Sequence, residues 1–162
     1  MIVQQANVDD AEEILALQKL CYLSEAEIYS DYTIPPLIDT LDMIKDAFGK
    51  YFFLKVTKKG KIIGSVRGRI SSPGTCYIGR LIVHPDFQNQ GIGTKLMIEI
   101  EKIFHKCHRW ELMTGQLSTK NIKLYKKCGY ETFKTEKLTP HLTLVFMEKI
   151  RKKHINIDYN TF

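Results

Sequence analysis

A mixed α/β fold of the α+β type, in a single domain, is what this chain predicts, and three observations carry the prediction. The chain is 162 residues long with 44% hydrophobic and 26% charged residues, enough for one domain with a core of its own. Its apolar spacing switches between a period of two and a period near 3.6, so strand-like and helix-like segments alternate. No segment repeats another, and one unit, a β-branched strand running through a glycine loop into an amphipathic helix at residues 75–104, stands out from the rest.

The elements follow in order. Ile2 to Gln5 reads as a short strand, and Asp9 with Glu12 three residues on reads as the N-cap of a first helix whose buried stripe is Ile14, Leu17, Leu20 and Cys21. That helical pattern is expected to end after Ser24. An aromatic connector with Tyr29, Asp31, Tyr32 and the helix-breaking Pro35-Pro36 pair follows, and a second helix runs from about Thr40 to Phe48. Tyr51 to Thr57 and Ile62 to Ile70 read as an antiparallel hairpin around Gly60, and Ser71 to Gly74 as the next turn. Thr75 to Val83 is a strand; Gly91 opens a helix carrying Leu96, Met97, Ile100, Ile103 and Phe104 at helical spacing. Arg109 to Thr114 is a strand, Thr119 to Lys127 a short helix stopped by Gly129, and Tyr130 to Leu138 and Leu142 to Lys149 are strands. The domain is taken as residues 1–150, followed by a basic and polar C-terminal tail, 151–162, expected to be loosely held.

Composition excludes several classes. Twenty-four Lys and Arg against eighteen Asp and Glu give a net charge of +6, which favours an anionic ligand without choosing one. No stretch approaches the roughly 18 uninterrupted apolar residues of a membrane span. The N-terminus reaches Asp9, Asp10, Glu12 and Glu13 without a basic-then-apolar signal pattern, so a cytoplasmic protein without a membrane partner is expected. Cys21, Cys76, Cys107 and Cys128 are far apart, which argues for reduced thiols rather than disulfides or a zinc knuckle.

The chemistry concentrates at Gln88-Asn89-Gln90-Gly91-Ile92-Gly93. At a strand-to-helix turn several backbone N–H groups are free and the helix dipole presents positive potential, so the segment is a candidate phosphate cradle. Glycine at 91 and 93 permits a positive-φ turn and close approach of a pyrophosphate to the main chain; the plainer reading is turn chemistry alone. A dinucleotide fingerprint fails because position 96 is Leu, and a Walker A loop fails because no Gly-Lys-Ser/Thr follows.

What remains is a strand ending Leu81-Ile82-Val83-His84-Pro85, then Gln-x-x-Gly-x-Gly, then Thr94-Lys95-Leu96-Met97. This resembles motif A of the GNAT family of acyl-CoA-dependent N-acetyltransferases, and Asn121 to Tyr130 resembles that family's Asn-x-x-x-Tyr-x-x-x-Gly-aromatic block. The resemblance implies the GNAT fold, a central, mostly antiparallel sheet of about six to seven strands flanked by about four helices. It implies acetyl-CoA as co-substrate, no metal, and transfer of the acetyl group to a primary amine of a small molecule or peptide by direct attack in a ternary complex. By the same resemblance the backbone of Leu81, Ile82 and Val83 would pair with the pantetheine arm like one more strand. Gln88, Asn89, Gln90, Gly91, Ile92, Gly93 and Thr94 would wrap the pyrophosphate. Asn121 would hold the pantetheine, and Tyr125, four residues on and on the same helix face, would protonate the departing thiolate. Gln88 stands where many relatives have Arg, which removes a fixed charge and leaves the backbone cradle.

A thioester needs a neutral amine, and an ammonium of pKa about 10.4 is only about one part in a thousand neutral near pH 7, a cost of about 4 kcal/mol. The base is less legible. No Asp or Glu lies between Asp46 and Asp86, which leaves Glu25 and Glu27 in the connector, Glu111 on a later strand, or a water chain; each Glu has a solvated surface role as its plainer reading. Cys128 lacks His-Asp support and reads as a packed helix-end thiol. Arg67 and Arg69, two apart on one strand face, with Arg80 on the neighbouring strand, are either a salt-bridged exterior or a cationic cleft wall; the second selects an acceptor bearing a carboxylate or phosphate. His105, Cys107 and His108 give at most part of a metal site, and His84 either touches phosphate or ends its strand. A nucleic-acid-binding basic module and a silent acyl-CoA binder of the same fold are the competing readings. No nucleic-acid motif appears, so nucleic acid is not the expected partner, and monomer and homodimer both stay open.

Overall fold

The protein's structure, a computed structural model, describes residues 1–152. β-Branched and aromatic segments separated by tight turns build seven strands: β1 (Val3–Gln5), β2 (Phe52–Lys58), β3 (Lys61–Ser72), β4 (Thr75–Val83), β5 (Arg109–Gly115), β6 (Glu131–Thr139) and β7 (Leu142–Ile150). They form one sheet in the order β1-β2-β3-β4-β5-β7-β6. Every neighbouring pair is antiparallel except β4 and β5, which run parallel.

Helices cover both faces. On one face, α4 (Ile92–Ile103) and α5 (Thr119–Lys127) bury Ile92, Leu96, Met97, Ile100 and Tyr125 against Leu54, Val56, Ile78, Leu112 and Met147. The contact is close: a Cβ on Gly68 would sit 2.9 Å from the Phe104 ring, and one on Gly64 would sit 3.1 Å from Ile92. On the other face α1 (Ala11–Tyr29) and α3 (Leu41–Ala47) pack Ile14, Leu17 and Ala47 on Phe53, Ile62 and Ile82. Alternation along the strands sorts these sets, with Leu54 and Val56 facing α4 while Phe53 faces α1.

Three local expectations change. The first helix does not end after Ser24 but runs to Tyr29, closed by Ser30 in the left-handed region at φ 50°. Its buried positions include Gln18 and Ala26, while Leu20 is 41% exposed, so the large apolar residues understate the buried stripe. Gln18 is buried because its amide donates to Pro36 O at 2.9 Å and Asp39 Oδ2 at 2.8 Å. Asp9 is not the cap. Asn7 accepts from Asp9 N–H at 2.9 Å and Asp10 accepts from Asn7 N–H at 3.0 Å, capping a 3-10 turn at Val8–Asp10 that leads into α1. The Pro35-Pro36 pair starts a one-turn helix, α2 (Pro35–Ile38), because proline at the first helical positions forfeits only N–H groups that have no helical partner.

Arg151 is tied to the sheet's end, its N–H bonding His108 O at 2.7 Å and its guanidinium 5.6 Å from the Trp110 ring. Residues 153–162 of the expected tail lie outside the described residues. Among the described residues no helix is long and apolar enough to cross a membrane.

Candidate active site

The sheet opens where β4 and β5 part. Their parallel pairing covers only Thr75–Tyr77 against Arg109–Glu111. Beyond it Ile78 to Val83 have no strand on the β5 side, leaving backbone N–H and C=O groups for another partner. The departure follows a β-bulge. Against β3, Arg67 pairs with Gly79 and Ser65 with Ile82, so Arg80 and Leu81 together oppose Val66. Arg80 adopts a left-handed φ of 49°. The extra residue shifts the alternation, turning Leu81 and Val83 towards α4 and α5 and Ile82 towards α1.

At the mouth of this opening lies the glycine loop. Asn89 (φ 61°) and Gly91 (φ 81°) are both left-handed, an alternation that curls successive N–H groups into an anion-binding nest. The first bond of α4 runs from Lys95 N–H to Gly91 O at 3.0 Å, so the N–H groups of Ile92, Gly93 and Thr94 precede it and stay available. A Cβ on Gly91 would meet nothing within 4 Å, so the loop fronts open space and its glycine answers to φ. Gly93 has a different reason, since its Cβ would come 3.2 Å from Leu124 and keep α5 off α4. Gln88 spans the opening. Its Nε2 donates to Val83 O at 3.2 Å, and its Oε1 accepts from Lys120 Nζ, on α5, at 3.1 Å.

Across the opening α5 presents Asn121 and Tyr125. Tyr125 is buried, 6.3 Å edge-on to Tyr130, and burial pushes its phenol above the ordinary value of 10. Its proton is therefore held through the neutral range. Glu25, placed on α1 rather than in a loop, reaches over to accept from Asn121 Nδ2 at 3.2 Å and from the Ser118 hydroxyl. Because the Ser118 proton goes to Glu25, the 2.8 Å contact between Ser118 Oγ and Tyr29 must be donated by the Tyr29 hydroxyl. Tyr29 in turn accepts Leu117 N–H at 2.9 Å. A one-way chain of donors thus ends on the Glu25 carboxylate. Ser118, and the part that Tyr29 of the aromatic connector plays beside it, escape the sequence reading: Ser118 occupies the N-cap of α5, where a cap is the default role, yet its side chain caps nothing there and turns to Glu25.

The other carboxylates lie elsewhere. Glu111 is bound to Arg109 at 2.7 Å and Ser71 at 3.2 Å, opposite Tyr77 in the paired stretch. Glu27 is exposed on α1. Arg67 and Arg80 sit together on the α1 side of the sheet, half-buried, whereas Arg69 is exposed and bonds the Tyr51 hydroxyl at 3.2 Å. Burial, and then the Arg80 charge, lower the pKa of Arg67 from its ordinary value. Cys128 caps the C-terminus of α5 with its thiol pushed up by burial, which removes the thiolate a nucleophile requires. His84 caps the 3-10 turn Pro85–Phe87, its Nδ1 accepting Asp86 N–H at 3.1 Å. Among the described residues no three His, Cys, Asp or Glu side chains are grouped to hold a metal ion.

A family model for the acetyltransferase (GNAT) family matches residues 11–130, the span that holds both the splayed strand pair and the nest. The chain belongs to that family. Solved structures share the GNAT architecture at low identity. The Escherichia coli ribosomal-protein-S18-alanine N-acetyltransferase superposes with a TM-score of 0.77 at 15% identity, covering 96% of this chain and 97% of that one. The Salmonella typhimurium protein yncA, solved with its cofactor acetyl-CoA, superposes with a TM-score of 0.75 at 18% identity over 98% of each chain. Such identities establish the fold alone. The UPF0157 protein YqkA of Bacillus subtilis is 28% identical over 155 residues, 96% of this chain but 44% of that protein, so the chain spans less than half of that relative. As a member of the GNAT family the chain has the mixed, mostly antiparallel sheet the resemblance implies, and among the described residues it counts seven strands and five α-helices where about six to seven and about four are expected.

Proposed function

We propose that this acetyltransferase moves the acetyl group of acetyl-CoA onto a primary amine of a small molecule or peptide by direct attack in a ternary complex. The observation that carries the reading is the open β4 edge ending in a nest of free N–H groups, flanked by α5, which carries the buried Tyr125 and bonds across to Gln88 and Glu25. Open space at Gly91 and three unspent helix N–H groups fit a pyrophosphate, and an unpaired strand edge fits the amides of a pantetheine arm. Acetyl-CoA supplies an activated thioester carbonyl; the residues do the rest. The backbone of Leu81, Ile82 and Val83 would hold the arm and offer an N–H to the developing oxyanion. Gln88 to Thr94 would hold the phosphates, with Lys120, bonded to Gln88, as a cation beside them. Asn121 would orient the arm.

In the transfer, the amine nitrogen bonds the carbonyl carbon as the carbon–sulfur bond breaks. Glu25, the carboxylate nearest Asn121, would take the amine proton, and Tyr125 would give its hydroxyl proton to the leaving sulfur. The four free cysteines suit a reducing compartment, and we assign the reaction to the cytoplasm.

A calorimetric titration with acetyl-CoA tests the reading. Micromolar binding by the native chain, lost in Gly91→Val and weakened in Asn121→Ala, is the expected result. Absence of binding by the folded native chain overturns it.

A further inference from the structure

The α1 face of the sheet carries a charge arrangement that the transfer step does not use. Arg67 of β3 and Arg80 of the β4 bulge are neighbours there, and one carboxylate faces them. Arg80 Nη2 reaches Asp39 Oδ2 at only 3.4 Å, and that oxygen already accepts from Gln18 at 2.8 Å. Arg67 rests on aromatic rings, 4.4 Å from the centroid of Tyr51 and 5.7 Å from that of Phe53. Both Nε–H groups are buried without a hydrogen-bond partner. Arg67 and Arg80 against the single Asp39 carboxylate leave one positive charge of this trio uncompensated, with donors to spare.

Buried donors without partners are costly and uncommon, and a strained φ at a non-glycine residue is a second cost accepted at the same place. Tyr22, whose phenol burial pushes up to about 12, keeps its proton and adds a neutral donor. The arginine pair adjoins the reaction site in the chain, because Arg80 precedes the Leu81 to Val83 edge directly.

Resting on the acetyl-transfer reading above, we infer that the acceptor is an amino carboxylate of amino-acid size, its carboxylate bound between Arg67 and Arg80 and its amine directed into the β4–β5 opening. The single excess charge selects a monoanion, and Asp39 beside Arg80 disfavours a phosphate dianion. Guanidinium forks suit a carboxylate bidentately, which an ammonium-rich polyamine cannot exploit.

The test is a thiol-release assay on the full chain with a panel of amino acids, each beside its carboxamide and its decarboxylated amine, and with aminoethylphosphonate. At least one amino acid is expected to exceed its amide at least tenfold in kcat/KM and to exceed the phosphonate. In Arg67→Gln and in Arg80→Gln that preference for acid over amide should fall about tenfold, while the affinity for acetyl-CoA, measured separately by calorimetry, holds. Arg67→Lys, which keeps a charge without the fork, should restore only part of it. The inference is overturned if no amino acid outpaces its amide, or if the variants lower acid and amide alike. Those outcomes with acetyl-CoA bound and other amines acetylated leave the transfer reading standing; loss of acetyl-CoA binding by the native chain removes that reading as well.

Discussion

Replacing Gly115 by Ala tests the donor chain that ends on Glu25. The new Cβ would fall 3.0 Å from Cε2 of Tyr29 and in frank overlap with its hydroxyl and Cζ, so the ring has to leave. With it go the Leu117 N–H bond at 2.9 Å and the bond to Ser118 at 2.8 Å. Each such bond contributes about 0.5–1.5 kcal/mol, and leaving the buried Ser118 short of a donor costs about 1–3 kcal/mol more, so the loss is about 3 kcal/mol. For a chain of this size that is a fall in melting temperature of about 6–12 °C. Gly115 needs no positive φ, so the backbone conformation is not the cause. Gly60→Ala isolates that term, because its φ is 76° with nothing within 4 Å of the new Cβ, and should cost only about 1 kcal/mol. Turnover should fall at least tenfold, since Ser118, no longer held by Tyr29, positions Glu25 less tightly. Thermal melts read beside thiol-release kinetics decide it. A Gly115→Ala protein that melts within about 1 °C of native and keeps its kcat refutes the argument.

Tyr125→Phe keeps the ring against Tyr130 and removes only the proton, so acetyl-CoA binding should hold in calorimetry while kcat falls at least tenfold; unchanged turnover removes Tyr125 as the acid. Burial raises the Tyr125 pKa, so the protonated form that donates persists above pH 10. The profile of kcat/KM should therefore rise with pH as the amine loses its proton and show no descending limb up to about pH 10; a fall beginning near pH 8 contradicts the assignment. Cys128→Ala should retain full turnover and resist no differently to thiol-directed inactivation, because its thiol is held protonated; loss of activity without loss of stability makes the sulfur a participant.

How much of this was legible in the sequence depends on whether local pattern or tertiary contact decides. Strands such as β5 and the α4 helix are readable because their apolar residues keep a clean period, as in Trp110 and Leu112 or in Leu96, Met97 and Ile100. The end of α1 is not readable, since Gln18 is buried through bonds to residues about twenty positions away and Leu20 faces solvent. That error also put Glu25 in a loop. The glycine loop announces itself, but the left-handed Asn89 does not, and the separate reasons for Gly91 and Gly93 appear only once Leu124 is beside one of them. Ser118 looks like a cap, and Tyr29 like connector aromatic residue, because their meeting joins positions 89 apart.

The β4 bulge is the feature the sequence hides most fully, and it connects the two halves of the site. Thr75 to Val83 reads as an unbroken strand, in which Ile82 would share the α4 face with Ile78. One additional residue puts Ile82 on the α1 face instead, fills that core, and turns Leu81 and Val83 towards the helices that flank the opening. The same residue bends the strand from β5, which is why pairing stops at Tyr77. Glycine is the residue such a left-handed position ordinarily takes, and glycine is present one place earlier, at 79. Arg80 holds the strained position with its guanidinium beside Arg67, so the strand distortion that exposes the backbone edge also sets a cation next to it. On the proposed reading, the edge that would hold the cofactor and the arginines that would hold the acceptor are tied together by a single bulge, the arrangement that direct transfer between two bound molecules requires.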